Sequence, residues 1–177
     1  MKIISTKIPD VKILVPKRYK DKRGFFYESY NNKNFQKILG DKIKFVQDNH
    51  SKSKRGVIRG LHYQKAPYEQ GKLVRVVSGE IFDVAVDLRK KSPTYGKWVG
   101  IKLSSKNMKQ LWIPKGFAHG FQVISKEAEV LYKTTNYYAP KLQFTIRWDD
   151  EFLKIKWDKN LNKILSSKDL NSPKFIF

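Results

Sequence analysis

The chain has 177 residues, no cysteine, 37 Lys and Arg against 16 Asp and Glu, and a formal net charge of +21. This length suits one domain with its own hydrophobic core, predicted over residues 1–177, and is short for two. The sequence lacks cysteine, an apolar leader and any apolar run of about 18 residues. We therefore expect a cytoplasmic protein with no disulfide framework and no membrane contact.

The positive charge is spread along the chain. Lysines predominate and are scattered through residues 12–22 and 154–174, which is typical of a solvated surface. Such a charge attracts an anion, either a nucleotide diphosphate or a nucleic acid. The sequence shows neither basic residues clustered with aromatic residues nor a known nucleic-acid module, so we expect no nucleic-acid partner.

The predicted elements are mainly short β-strands. One amphipathic helix is predicted over residues 32–39, between an asparagine cap and Gly40. A second short helix is predicted near the C-terminus, with Leu161, Ile164 and Leu165 on one side. Regularly spaced short strands predict an all-β sandwich or closed barrel. The predicted strands cover residues 42–47, 57–64, 72–77, 80–88, 98–103, 110–113, 119–124, 129–135 and 144–147.

Within a strand of this set, the segment RGVIRGLHYQ at residues 55–64 places charged groups among apolar ones. Period-2 alternation would send Arg59 and His62 to opposite faces. Gly60 lies between them and favours a β-bulge, which could turn both side chains toward one cavity. The segment alone leaves two interpretations open: a binding site, or a hydrogen-bonded core histidine with a surface arginine.

A two-residue turn at residues 78–79 would join strands 72–77 and 80–88 as a hairpin. Counting back from the turn places Lys72 and Asp83 on one face as diagonal neighbours. The other residues of that face are apolar, which favours a cavity with a paired charge over a solvent face with a weak ion pair. They are Val74, Val76 and Ala85. The opposite face, predicted to be plain core, carries Leu73, Val77, Phe82, Val84 and Val86.

Several long motifs, in order along nearly the whole chain, resemble the dTDP-4-dehydrorhamnose 3,5-epimerase family. They include DKRGFFYES at residues 21–29, FVQDNHS at 45–51, GEIFDVAVDLR at 79–89, LWIPKGFAHGF at 111–121 and LSSKD at 165–169. The resemblance implies a cupin-like jelly roll and a cofactor-free, metal-free reaction. The substrate would be dTDP-4-dehydro-6-deoxy-D-glucose, inverted at C3 and C5 to dTDP-4-dehydro-L-rhamnose for surface polysaccharide synthesis.

The chemistry of such a substrate requires three kinds of group. The C4 carbonyl acidifies the hydrogens at C3 and C5, so a positioned base can remove them while a cation or donor stabilises the enolate oxygen. Inversion then requires an acid on the opposite face of the ring. By resemblance, His62 is the base, Tyr132 the acid and Lys72 the group at the enolate oxygen. Asp169 would orient His62 and favour its protonated form.

Substrate-binding roles follow from the same resemblance. Arg59 and Arg23 are expected to bind the diphosphate, since guanidinium groups form bidentate charge-assisted hydrogen bonds. The N-terminal segment would reach the site of a second subunit, so a homodimer is expected in which part of the set acts in trans. The remaining expected positions are Phe26, Glu28, Gln47, Asn49, Asp83, His119, Tyr138 and Lys168.

One stretch departs from the family pattern, and two other activities stay open. Many family members have an acidic residue and a glycine after the Asn-Tyr-Tyr segment, whereas this chain has Gln143 in the sequence KLQF. The nucleotide base is therefore left open, as is inversion at C3 alone. A metal-dependent cupin is the other enzyme class, but its usual His-X-His pair is replaced by His62-Tyr63-Gln64.

Overall fold

The computed structural model describes residues 1–176 and contains two antiparallel β-sheets that face each other. The larger sheet consists, in spatial order, of β1 (Lys2–Ser5), β2 (Lys12–Val15), β10 (Gln110–Ile113), β7 (Lys72–Ser78), β12 (Glu127–Thr134) and β5 (Gln47–Lys54). The smaller sheet consists of β13 (Gln143–Thr145), β6 (Ile58–Gln64), β11 (Phe117–Val123), β8 (Glu80–Asp87) and β9 (Trp98–Ser104). The other elements are the hairpin β3 (Tyr19–Asp21) and β4 (Gly24–Phe26), helices α1 (Asn32–Leu39) and α2 (Ser167–Leu170), and a 3₁₀ turn at Pro140–Leu142.

The main core lies between the two sheets. Alternate side chains of each strand point inward, so Val74 and Val76 of β7 meet Ile81 and Ala85 of β8 in one buried cluster. Strand alternation thus generates the inner faces, and the two facing sheets confirm the predicted all-β sandwich.

The predicted hairpin between residues 72–77 and 80–88 is wrong. β7 pairs with β10 and β12, whereas β8 pairs with β11 and β9, so the two strands belong to opposite sheets. Gly79 connects them with a φ of 79°, a conformation that favours glycine. Lys72 and Asp83 are nevertheless close to the same interior, because both side chains point inward, one from each of the two facing sheets.

The face predicted to be plain core is divided between two outer layers. Leu73 packs against Phe35 of α1 on the outside of the larger sheet. Val84 packs against Trp157 of the C-terminal segment on the outside of the smaller sheet. Val77 is 37% exposed, so its assignment to the core was wrong. The sandwich is therefore covered on both sides, by different parts of the chain.

Helix α1 has the predicted bounds. The Asn31 side chain accepts a hydrogen bond from the Asn34 N–H at the N-terminus, and the Gly40 N–H donates to the Gln36 carbonyl at the other end. The second predicted helix is misplaced, because α2 begins at Ser167, beyond the three apolar residues that suggested it. No helix within residues 1–176 is long and apolar enough to span a bilayer.

The largest disagreement in strand assignment concerns β5. Residues 42–46, predicted as a strand, are not in one, and β5 runs over Gln47–Lys54 with the polar sequence QDNHSKSK. Because its partner β12 supplies the apolar residues of this region, β5 needs no apolar alternation of its own. The four N-terminal strands, β1 to β4, were also not predicted.

Candidate active site

A cavity of about 340 Å³ opens beside strand β6, where a β-bulge interrupts pairing with β11. His62 pairs with His119 and Arg59 pairs with Phe121, so two residues of β6 oppose the single residue Gly120. The extra residue shifts the alternation by one position, and both Arg59 and His62 line the cavity. The predicted bulge next to Gly60 is therefore present, and it turns both side chains toward one cavity.

His62 forms a dyad with Asp169, which follows it by 107 positions. His62 Nε2 lies 2.5 Å from Asp169 Oδ1, and the Asp169 side chain is only 5% exposed. A carboxylate accepts, so Nε2–H donates and the other ring nitrogen of the neutral imidazole can take up a proton. The contact expected between these residues is present.

The fold holds Asp169 in its charged form. The Ser166 hydroxyl caps α2 by accepting from the Asp169 N–H, which fixes the start of the helix beside β6. Burial acts to raise the pKa of the Asp169 carboxyl, but hydrogen bonds from His62 and from the Gly60 N–H outweigh it and lower the pKa. A charged carboxylate at this point fixes the orientation of the His62 ring through the Nε2 contact.

A second group of charges lies deeper between the sheets. Lys72 is 8% exposed, and burial lowers the pKa of its ammonium to about 8, although the Asp83 carboxylate acts in the opposite direction. His119 Nε2 donates to Asp83 Oδ2 over 2.9 Å. Burial also lowers the pKa of His119, and the nearby positive charges of Lys72 and His62 add to that effect. Lys72 and Asp83 are therefore both buried and act on each other electrostatically, and His119 is the residue that binds Asp83 directly.

Tyr132 lies on the inner side of β12, opposite Val74 of β7 and Asn49 of β5. Its ring centroid is 6.0 Å from Lys72 Nζ. Burial raises the pKa of the Tyr132 hydroxyl, while the Arg59 charge acts to lower it. The phenol therefore stays protonated near neutral pH, in the protonation state that a proton donor needs.

A hydrogen-bonded chain links five polar residues at the rim. Lys168 Nζ and the Tyr138 hydroxyl both donate to Gln143 Oε1, over 2.5 and 3.0 Å. The Tyr138 N–H donates to Gln47 Oε1, and Gln47 Nε2 donates to Asn49 Oδ1. Four of the five were predicted as binding residues, and Gln143, noted only as a departure from the family, joins two of them.

Arg59 has a partner that the sequence did not suggest. Arg59 Nε donates to Ser53 Oγ over 2.9 Å, and Ser53 is buried on the edge strand β5. This contact orients the guanidinium beside the cavity. Serine in a polar strand carries no signal of such a role, and only knowledge of the β5–β12–β7 order would have placed Ser53 near Arg59.

Of the expected residues, Arg59, His62, Lys168 and Asp169 line this cavity. Three others lie on the N-terminal segment and are exposed to solvent. The side chain of Arg23 is 84% exposed and binds Asp21 within the β3–β4 hairpin. Phe26 is 69% exposed, and Glu28 accepts a hydrogen bond from Asn31. Within residues 1–176, no three His, Asp or Glu side chains converge in a way that could hold a metal ion.

Comparison with known proteins identifies the family. The family model for dTDP-4-dehydrorhamnose 3,5-epimerase matches residues 5–176. The chain belongs to this family. A dTDP-4-dehydrorhamnose 3,5-epimerase of Shigella flexneri is 58% identical over 176 residues, which cover 99% of this chain and 97% of that relative.

Solved epimerase structures share the fold. A dTDP-6-deoxy-D-glucose-3,5-epimerase from Legionella pneumophila, in complex with dTDP-4-keto-L-rhamnose, has a TM-score of 0.93 at 52% identity, over 98% of this chain and 92% of that chain. A 3'-monoepimerase from Streptomyces bikiniensis, in complex with dTDP-quinovose, has a TM-score of 0.91 at 28% identity, over 96% and 86%. The predicted family and cupin-like jelly roll are thereby confirmed.

Proposed function

We propose that this protein inverts dTDP-4-dehydro-6-deoxy-D-glucose at C3 and C5 to give dTDP-4-dehydro-L-rhamnose. The observation that carries the proposal is the His62–Asp169 dyad. Lys72 Nζ lies 6.0 Å from the centroid of the Tyr132 ring, and the charges of Lys72 and His62 both act on His119. Base, acid and oxyanion donor are the three groups that epimerisation beside a ketone requires. Membership of the epimerase family supports the same assignment.

His62 removes the proton from the carbon next to the C4 ketone. The Asp169 carboxylate stabilises the imidazolium that forms, as its short contact with Nε2 and its low pKa support. The electrons of the broken C–H bond move to the C4 oxygen and form an enolate. Lys72, in its protonated form, stabilises the charge on that oxygen in a site where burial strengthens the interaction.

Tyr132 returns a proton to the opposite face of the ring. It belongs to the larger sheet, whereas His62 belongs to the smaller one, so a sugar bound between the sheets meets the base on one side and the phenol on the other. Transfer of the phenolic proton to carbon collapses the enolate to the ketone with inverted configuration. His62 then releases its proton to solvent and Tyr132 takes one up from solvent, so both residues return to their starting states. The same steps at the second carbon complete the reaction, and no cofactor enters the proposal.

Binding of the dTDP group falls to the rim residues. Arg59 binds the diphosphate, and the chain of Lys168, Gln143, Tyr138 and Gln47 lies where the nucleoside would be held. The exposed Arg23, Phe26 and Glu28 act on the site of a second copy, so the working protein is a homodimer of single-domain subunits. Such an enzyme would serve synthesis of a surface polysaccharide from the cytoplasm.

A second candidate is inversion at C3 alone. It is favoured by the likeness to the Streptomyces bikiniensis 3'-monoepimerase, which shares the fold over 96% of this chain. Both reactions use the same base and the same ketone, and they differ in how long the enolate and ring stay positioned.

Proton NMR in deuterium oxide with the dTDP 4-keto sugar tests the proposal. Deuterium at C3 and C5 with formation of the L-rhamno product is the expected result. Deuterium at C3 alone supports the second candidate. Deuterium at neither carbon contradicts both. Metal analysis of the same preparation tests the cofactor-free assignment directly.

A further inference from the structure

One buried hydroxyl beside the site has no hydrogen-bond partner. Among the residues that the structure describes, Ser51 Oγ is fully buried and neither donates nor accepts. A buried polar group without a partner destabilises the folded protein relative to a paired one. Most buried polar groups are paired, so this exception points to a ligand that the hydroxyl meets during function.

Ser51 lies in the middle of a row of polar side chains. On β5, alternation gives Gln47, Asn49, Ser51 and Ser53 the same face, and that face is the less exposed one. Ser53 at one end of the row orients Arg59. Asn49 on the other side of Ser51 is paired across the sheet with Tyr132, the proposed acid.

The neighbours of Ser51 on this face already have partners. Gln47 bonds both to Asn49 and to the Tyr138 N–H, and Ser53 accepts from Arg59. Ser51 is therefore the residue in this row whose hydroxyl neither donates nor accepts. The residue as a whole is partly exposed, so other atoms of Ser51 reach the accessible surface.

We propose that the Ser51 hydroxyl donates a hydrogen bond to a phosphate oxygen of the nucleoside diphosphate bound by Arg59. The inference rests on the proposed function, since it takes the dTDP group as the ligand. A phosphate oxygen only accepts hydrogen bonds, which matches a free O–H donor on the same strand face as Ser53, the residue that binds the Arg59 guanidinium. Hydrogen bonds to a charged acceptor are roughly twice as strong as neutral ones, so pairing with phosphate relieves the buried hydroxyl best.

Calorimetric titration of the full-length protein with dTDP tests the contact. Ser51→Ala is expected to raise the dissociation constant for dTDP about tenfold or more, as loss of a hydrogen bond to a charged group does. Its thermal midpoint without ligand is expected to stay the same or rise, because alanine removes an unpaired polar atom. The stabilisation that a fixed dTDP concentration adds to the thermal midpoint should shrink.

Ser104→Ala is the matched control. Ser104 is also buried at a strand position, but its Oγ accepts from the Asn107 N–H over 3.0 Å, within a turn of the smaller sheet. The control should lose thermal stability and keep the affinity for dTDP, the reverse of the pattern expected at Ser51.

The outcomes separate this inference from the proposed function. An unchanged affinity for dTDP in Ser51→Ala overturns the phosphate contact. This holds even if turnover of the sugar changes in the variant. A thermal midpoint that falls in the variant without ligand assigns Ser51 a structural hydrogen bond and also overturns it. If the wild type epimerises the sugar in either case, the proposed function stands. A wild type that does not bind dTDP overturns both.

Discussion

The 2.5 Å contact between His62 and Asp169 joins two residues that are 107 positions apart in the sequence. His62 follows from a strand motif, whereas Asp169 reaches it from the short helix α2 near the C-terminus. Such a dyad favours the protonated ring after proton abstraction without being consumed in the reaction. The role of each residue can therefore be tested separately.

His62→Asn is expected to abolish exchange of the C3 and C5 hydrogens with solvent. General base catalysis is typically worth about 100-fold or more, so residual exchange should be below about one per cent of wild type. Binding of dTDP should be largely retained, because His62 serves proton transfer. NMR in deuterium oxide and dTDP titration measure the two effects. His50→Asn is the control, since His50 is exposed and contacts only Glu129. Exchange above one per cent in His62→Asn would assign the base elsewhere.

Lys72 makes stability depend on pH in a direction opposite to that of ordinary paired lysines. Burial lowers the pKa of its ammonium from about 10.5 to about 8. Between these values the unfolded chain holds a proton that the folded chain does not, so the free energy of unfolding rises with pH. Below pH 8 both states are protonated, and the full cost of burying the charge, about 3 kcal/mol, is present.

The measurement is urea unfolding of wild type and Lys72→Met across this interval. Relative to the variant, the wild type should gain up to about 3 kcal/mol between pH 8 and 10.5. The control is Lys102→Met, at an exposed position of β9. The difference in unfolding free energy between wild type and this control should stay constant from pH 8 to 10.5. Epimerase activity should fall over the same interval, because the enolate oxygen loses its cation. A pH-independent difference between wild type and Lys72→Met would contradict the buried charge.

At the scale of elements, the bulge of β6 decides whether Arg59 and His62 share a cavity. Gly60 of β6 lies close to Gly120 of β11, so a Cβ added to Gly60 would lie 2.5 Å from Gly120 Cα. Gly60 also has a φ of +131°. The backbone of β6 thus approaches that of β11 more closely than a side chain allows. The bulge interrupts strand alternation between Arg59 and His62, and both side chains can therefore line the same cavity.

Gly60→Ala should therefore destabilise the protein and misplace both site residues. Backbone strain and overpacking each cost about 1–3 kcal/mol, so a loss of roughly 3 kcal/mol in unfolding free energy is expected. Gly24→Ala is the matched control, since Gly24 has a similar φ of +127° but no atom within 4 Å of the added Cβ. It should lose only the conformational part. Equal losses in the two variants would show that the approach to Gly120 is not the cause.

At the scale of the whole molecule, the chain leaves a polar edge strand and an aromatic hairpin uncovered. β5 is the edge of the larger sheet and carries lysines that discourage unspecific pairing. The β3–β4 hairpin exposes Phe25 and Phe26, at 58% and 69%. Exposed aromatic rings next to Arg23 are consistent with the proposed homodimer, in which this hairpin meets the site of the partner.

Mixing two inactive variants tests this arrangement. In a dimer of one Arg23→Ala subunit and one His62→Asn subunit, one site keeps both groups if Arg23 acts in trans. Random pairing then restores about one quarter of all sites. The control pairs Lys72→Met with His62→Asn, which belong to the same subunit's cavity and should restore none. Sedimentation should show a dimer. A monomer, or no recovery after confirmed subunit exchange, would remove the dimer and leave the chemistry intact.

Local sequence by itself determined the parts of this protein that depend on neighbouring residues. The caps of α1, the inward alternation of Val74 and Ala85, and the glycine bulge beside His62 are all read from short segments, because capping, alternation and φ preferences act over a few residues. The family motifs are also short segments, and the candidate site residues were predicted from their resemblance.

Tertiary structure alone decided which strands pair and which distant groups meet. The strands on either side of Gly79 were predicted to pair and instead lie in opposite sheets, because β10 and β12 compete for β7 through residues far along the chain. His62 and Asp169 are 107 positions apart, and the sequence between them does not show that their side chains meet. The partner of Arg59 and the low pKa of Lys72 likewise arise from burial between two sheets, a property of packing that no short segment contains.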